Sequence, residues 1–363
     1  MKIGFLADLH LNVVDPLSHI DAKTGFSIRT LDRFKALQKA IEISIQEGCD
    51  YFILGGDIYD KLNPSERLKT AFLHTILPYS DKIKIILFPG NHDGADFTHN
   101  YLSEEALLSY IGNPPFKIIS EIATLYTEGG TEKFMFIPWT TDLNLIIEKI
   151  KEVEPGLVCF GHLEIQGALA STEYVLTSGL HPALFDKFKK VLLGHYHKRQ
   201  RVSQKVSYVG SPIIKDFSEL EVEKGFIIYN TNNNSESFYQ LEERKVFNFR
   251  ISNDTLDEID KYLEKNPIPE GSLIKLEFIG TSEWYNEMAK SIYSYFMEFK
   301  PLKIKRTRIT IKEEIKEFDS VLKIQSRIER IKEYSKDMNN ENLTNLGIKL
   351  YQEAENSFIE VKV

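Results

Sequence analysis

Tyr51-Phe52-Ile53-Leu54-Gly55-Gly56-Asp57 is an apolar, strand-like run that stops at two glycines and delivers one carboxylate. A continuous apolar run of this length, bounded by Gly, reads as a strand buried on both faces. Gly55 and Gly56 let the chain turn sharply and leave room for another group to approach the backbone. In open α/β sheets, ligands sit just past the carboxyl ends of the strands. Many α/β proteins carry a strand followed by Gly-Asp, so the stretch gains its weight from its neighbours.

Four further apolar runs end the same way. Residues 3–7 run into Asp8-Leu9-His10, and residues 83–88 into Pro89-Gly90-Asn91-His92-Asp93. Residues 156–160 lead to Gly161-His162, and residues 191–193 to Gly194-His195-Tyr196-His197. A single His after a strand is usually a surface or hydrogen-bonded histidine, and Asn-His-Asp after Pro-Gly is usually a turn. Recurrence at five strand ends removes that explanation. The ends of strands in one sheet converge, so these side chains are expected to share a cleft and form a metal site.

The donor types narrow the metal. Imidazoles, carboxylates and one amide oxygen, without thiolate, suit Mn²⁺, Fe or Zn better than Mg²⁺. Asp8, His10, Asp57, Asn91, His162, His195 and His197 are seven donors, too many for one ion that keeps a position open for substrate. They suit two ions sharing Asp57 as a bridge, about 3.5–4 Å apart, a pair that activates water and clamps a phosphoryl group. His92 sits next to a ligand, so its imidazole can face substrate as a general acid or transition-state donor. Asp93 is a candidate to orient that ring.

Taken in order, these motifs resemble the calcineurin-like metallophosphoesterase superfamily over about the first two-thirds of the chain. Within it, Gly161-His162-Leu163 and the stretch from Leu193 through His197 to Gly210-Ser211-Pro212 are similar to the bacterial SbcD-type nuclease subunit. Ile137-Pro138-Trp139 is similar in character to phage recombination nucleases of the same kind. The resemblance implies an α/β (α+β) two-layer β-sandwich flanked by helices. It implies one Mn²⁺ held by Asp8, His10, Asp57 and His197, another by Asp57, Asn91, His162 and His195, and His92 as catalytic histidine. It further implies 3′→5′ exonuclease and endonuclease activity on DNA, a homodimer and an SbcC-like ATPase partner. The sequence departs from the pattern twice: Asp60 stands where archaeal and eukaryotic relatives carry a histidine, and Asn12 where a Gly is usual.

At 363 residues the chain exceeds the size at which one core stops growing. Residues 1–245 read as the phosphoesterase domain, 246–311 as a small α+β domain that caps DNA, and 312–363 as a linker with a helical tail. Thr30 is expected to cap the first helix, after a polar loop at residues 12–29. The tail carries two apolar stripes, one with Val321, Ile324, Ile328 and Ile331, the other with Leu343, Leu346 and Leu350. Two such helices cannot bury their stripes well on each other. They dock either on the parent domain or on another chain, here the ATPase partner. The helices at residues 68–77 and near Leu107 are candidate dimer surfaces, although their apolar faces serve equally well as core.

The net charge of -8 excludes a generally basic nucleic-acid coat, though a local strip is enough for DNA. Lys198, Arg199 and Arg201 follow the last histidine motif and are placed to grip phosphate beside the metals. Lys303, Lys305, Arg306 and Arg308 form a second basic strip on a predicted strand, which tracks duplex DNA or protects a sheet edge. Cys49 and Cys159 have no CxxC spacing and read as buried and reduced. No apolar run is long enough to span a membrane, and the first strand leaves no space for a cleaved signal if Asp8 and His10 are functional, so a cytoplasmic location is expected. A phosphoesterase acting on small substrates, and a non-catalytic metal-stabilised scaffold, are the alternatives. The first has no need of the extra domain and tail; the second predicts a damaged donor set.

Overall fold

The computed structural model describes residues 1–94, 115–127, 130, 133–170, 174–219 and 223–310. The tail positions from Val321 to Leu350, and Leu107, lie outside the described residues.

Two six-stranded mixed sheets make the core. In the first, β1 (Lys2–Leu6), β2 (Tyr51–Gly55), β3 (Lys84–Phe88) and β4 (Phe116–Ile118) run parallel. Antiparallel β11 (Gly225–Asn230) and β12 (Ser235–Gln240) extend this sheet beyond β1. In the second, β6 (Lys133–Ile137), β7 (Val158–His162), β8 (Lys190–Gly194) and β10 (Val206–Tyr208) run parallel. Antiparallel β5 (Ala123–Tyr126) and β9 (Gln200–Arg201) form its edges. The result is the two-layer α/β sandwich of sheets flanked by helices that was expected.

Strand alternation builds the layers. Ile3, Phe5, Tyr51 and Ile53 face the second sheet and pack with its Phe134, Phe136, Phe160 and Leu192. Phe5 and Phe160 meet at 5.4 Å between ring centroids, Phe88 and Phe136 at 6.0 Å. The opposite side chains, Leu6, Phe52 and Leu54, pack under α1 (Ile28–Gln46) and α2 (Glu66–Ile76). On the outer side of the second sheet, Met135, Cys159 and Val191 pack with Ile146 and Ile150 of α3 (Leu143–Glu152). Because β1 and β2 are covered on both sides, the opening stretch is apolar throughout.

Two local expectations change. The cap of α1 is Ser27, whose side chain accepts from the Thr30 N–H, so the helix begins two residues before Thr30. Thr30 Oγ1 instead lies 2.7 Å from Ser27 Oγ inside the first turn. On α2, Leu68, Phe72, Leu73 and Ile76 are all core residues, so its apolar stripe is not a dimer surface.

The chain divides into two compact units. The first holds both sheets together with Leu263–Leu276 and Phe296–Lys305. The second contains Arg250–Tyr262, Glu277–Tyr295 and, among the described residues, 306–310. Residues 246–310 run as β13 (Val246–Ile251), α4 (Leu256–Lys265), β14 (Leu273–Gly280), α5 (Ser282–Met297) and β15 (Lys303–Thr310). The three strands form a sheet in chain order, with β15 at an edge. Among the described residues, no helix is long and apolar enough to cross a membrane.

Candidate metal centre

The functional residues come together, but at the ends of strands in two sheets rather than one. β1, β2 and β3 of the first sheet bring Asp8, His10, Asp57, Asn91 and His92; β7 and β8 of the second bring His162, His195 and His197. Facing sheets place their strand ends on both sides of one cleft, whereas a single sheet would supply only one wall.

The glycines make the meeting possible. A Cβ on Gly56 would run into the His162 ring, so the group that approaches this backbone is an imidazole. A Cβ on Gly90 would run into the Asp57 side chain. The loops after β1 and β2 stay joined: the N–H of Asp8 donates to Gly56 O at 3.1 Å, and that of His10 to Asp57 O at 2.8 Å. Four of the six non-glycine residues with positive φ among those described are in the site: Asp8 (57°), His10 (48°), Asp57 (50°) and His195 (103°). L-residues adopt this region at a cost, and its concentration here marks a backbone held for function.

Distances divide the donors into two overlapping groups. His10 Nε2 lies 2.9 Å from His197 Nε2, and these two rings and Asp8 place one donor atom each within 4.8 Å of one another. On the other side, Asn91 Oδ1 is 3.1 Å from His162 Nε2 and 3.0 Å from His195 Nδ1. Asp57 Oδ2 is 3.5 Å from both His10 Nε2 and His162 Nε2, the position a bridging carboxylate needs. Asp8 is also 4.0 Å from His162, and its carboxylate accepts the His195 main-chain N–H at 2.9 Å.

The outer nitrogens decide where the lone pairs point. His10 Nδ1 faces Asp60 Oδ1 at 3.2 Å, His162 Nδ1 faces Gly55 O at 2.9 Å, and His197 Nδ1 faces Glu219 Oε1 at 2.6 Å. His195 Nε2 faces Glu164 Oε1 at 3.3 Å. Carbonyls and carboxylates only accept, so the outer nitrogens of His162, His195 and His197 carry a hydrogen and the inner nitrogens are left to meet a cation. His10 Nδ1 also lies 3.1 Å from Lys215 Nζ, a donor, so its partners do not fix its tautomer. Four imidazoles converging with carboxylates and an amide oxygen fit divalent cations. Electrostatics agree. Burial pushes His10 down to about 3, leaving it a neutral ligand. Burial also opposes charge on His162, yet Asp57 and then Asp8 raise it to about 9, so the carboxylates call for a positive partner here. Burial would raise Asp57, but His162 and then His10 and His92 hold it well below the usual carboxylate range.

The remaining expected residues fall in different places. His92 is half-buried, its ring 4.9 Å from that of His10, with Nδ1 3.0 Å from the Asp60 carbonyl oxygen. The group that orients His92 is therefore Asp60. Asp93 is buried, and its carboxylate accepts the N–H groups of Ile58, Tyr59 and Gly90 at 3.1, 2.8 and 2.9 Å, which secures the loops that carry Asp57 and Asn91. Asp60 also meets Lys215 at 3.0 Å, which neutralises part of its charge.

Glu164, Lys215, Glu219 and Lys224 had no signal in the sequence. They sit outside the strand-end motifs, and a lone Glu or Lys in a loop has no periodicity to mark it. Trp139, from the Ile137-Pro138-Trp139 motif, stacks on His195 with centroids 5.0 Å apart.

The basic residues are placed at two regions of the chain. Arg199 lies over the Phe238 ring at 4.4 Å and pairs with Glu223 at 3.0 Å, while Lys198 is half-buried and Arg201 exposed. On β15, alternation sends Lys303 and Lys305 to one face and Arg306 and Arg308 to the other. Arg306 stacks on Tyr293 at 4.6 Å and Arg308 on Tyr285 at 5.0 Å, both tyrosines on α5. All four cations are exposed.

The family model for calcineurin-like phosphoesterases matches residues 1–199 of this chain of 363. The chain belongs to that family. The matched region of this phosphoesterase contains all the metal-donor residues and His92. The family's metal-dependent phosphoester hydrolysis agrees with the donor cluster, which is built for divalent metals. Three solved structures are similar to the phosphoesterase. A dimetal phosphatase from Danio rerio is 12% identical, covering 63% of this chain and 91% of its own, with a TM-score of 0.40. The calcineurin-like phosphoesterase YfkN from Bacillus subtilis is 15% identical over 66% of this chain and 88% of its own, with a TM-score of 0.35. The nuclease MPE from Pseudomonas putida is 15% identical over 66% and 87%, with a TM-score of 0.27.

Proposed function

We propose that this phosphoesterase is a Mn²⁺-dependent DNA nuclease, both a 3′→5′ exonuclease and an endonuclease. In this reading it is the catalytic subunit of an SbcCD-like complex in DNA recombination and double-strand-break repair. It would act in the cytoplasm as a homodimer bound to an SbcC-like ATPase through residues 312–363.

The observation that carries the DNA reading is the edge strand β15. A hydrolase of small phosphoesters has no use for an added sheet whose edge exposes Lys303, Lys305, Arg306 and Arg308. Lys303 and Lys305 belong to the same compact unit as the metal centre. These two cations can follow a stretch of backbone, and contacts of this kind position DNA without reading its sequence. An acidic protein steers DNA weakly at long range, which is why the partner is part of the proposal.

Asp8, His10, Asp57 and His197 would hold one cation, and Asp57, Asn91, His162 and His195 the other. Such a pair supplies a nucleophile at neutral pH and neutralises charge on the phosphoryl group. Asp8, His10, Asp57 and His162 form the buried floor, while Asn91, His92, His195 and His197 are the half-exposed wall that substrate meets. With its Nδ1–H given to the Asp60 carbonyl, His92 presents Nε2 to substrate as the atom that takes or returns a proton.

Incubation of the purified protein with Mn²⁺ and end-labelled duplex DNA tests this reading. Nucleotides released together with the label support it. Label lost as inorganic phosphate, with the duplex intact, makes the protein a phosphomonoesterase instead.

A further inference from the structure

The outer partners of His162, His195 and His197 are not equivalent. His162 leans on a main-chain carbonyl, and His195 on Glu164, whose side chain is 39% exposed. His197 leans on Glu219, 14% exposed, through a bond of 2.6 Å against 3.3 Å for His195. Glu219 is itself fixed. Its second oxygen accepts from Lys224 Nζ at 2.6 Å and from the Lys215 main-chain N–H at 3.0 Å.

Lys224 completes a closed circuit. Its side chain is 4% exposed, and its ammonium meets three acceptors: Glu219, Ser211 Oγ at 2.7 Å and the His197 carbonyl at 3.2 Å. An ammonium has three hydrogens, so each is used. One cation thus ties the carboxylate that grips the His197 ring to the main chain of His197 itself. The ring cannot rotate without breaking a charge-assisted bond at its edge.

We propose that Glu219, locked by Lys224, is the positioning residue of His197, and that it sets the affinity of one metal position independently of the other. The position is the one defined by Asp8, His10 and His197. The inference rests on the two-cation reading of the centre and not on DNA as substrate. A carboxylate behind a histidine ligand fixes the ring and raises its basicity, and losing such a partner costs about 10–100-fold in metal affinity. The circuit touches neither Asn91, His162 nor His195, so the loss falls on one ion.

The test is calorimetric titration of Mn²⁺ into the full chain after chelator treatment, for the unaltered protein, Glu219→Gln and Lys224→Gln, with thermal melts as a check of folding. The unaltered protein is expected to take up two ions. Each variant should bind one of them about 10–100-fold more weakly and the other as before. Glu219→Asp, which keeps the charge and shortens the reach, gives the same selective loss if the first variant does not fold. A purely structural pair would lower the melting temperature and leave the titration unchanged. That result, or equal weakening of both ions, overturns the proposal. Two ions bound with DNA left uncut would instead overturn the nuclease reading and leave Glu219 in its role.

Discussion

The main-chain N–H of His92 donates to Oδ1 of Asp57 at 2.8 Å, so the proposed catalytic histidine is pinned by its backbone to the proposed bridging carboxylate. Oδ2 of the same carboxylate points the other way, towards His10 and His162. The side chain of His92 is therefore separable from the metal cage, while its backbone is part of it.

His92→Gln should keep that backbone bond and hence both ions, while phosphodiester hydrolysis falls by about 10²–10⁴-fold, the usual worth of a general acid or base. Elemental analysis and single-turnover rates on the same preparation check it. Unchanged turnover removes His92 from the mechanism.

Gly90→Ala should instead act through the metal donors. The new methyl has to displace the Asp57 side chain, so metal content should drop along with rate although no donor has been altered. A variant with a full complement of Mn²⁺ would show that the loop yields more easily than its packing indicates.

Much of this was legible in the sequence because the site is written in short motifs at strand ends. Gly56-Asp57, Gly90-Asn91-His92 and Gly194-His195 each join a turn residue to a donor, and the turn residue is needed for the donor to approach. What was not legible depends on pairs far apart in the chain. Two sheets rather than one supply the strand ends, because a buried parallel strand looks the same in either. Glu219 and Glu164 gave no sign because their meaning lies in the rings they touch. The facing of the four β15 cations comes from the pleat, since positions that adjoin in sequence face apart in a strand.

Arg29 of α1 is fully buried and donates to Glu243 at 2.6 Å and to the Ile214 carbonyl at 2.9 Å. Glu243→Ala leaves that guanidinium short of its carboxylate, and breaking a buried pair costs about 3–5 kcal/mol. Urea denaturation should show an unfolding free energy lowered by that amount. A shift below about 1 kcal/mol, the level of an exposed pair, would mean that Asp32, 3.2 Å from Arg29, carries the charge alone.

Both cysteines are free and buried. Burial pushes the Cys49 thiol from 9.0 up to about 11 and raises Cys159 further still. The folded state thus keeps protons that the unfolded chain gives up first. The stability these thiols contribute is intact below the unfolded value and declines as pH rises from 9.0 towards 11. The native protein should resist iodoacetamide at pH ~8.5 and label at both positions in denaturant. Rapid labelling of the native protein would place a thiol at the surface.

Anomalous scattering from a crystal grown with Mn²⁺ addresses the cage itself. Two peaks about 3.5–4 Å apart, with Asp57 Oδ2 between them, are the predicted result, since that spacing is what a shared carboxylate imposes. A single peak, or two that do not share Asp57, would contradict the account.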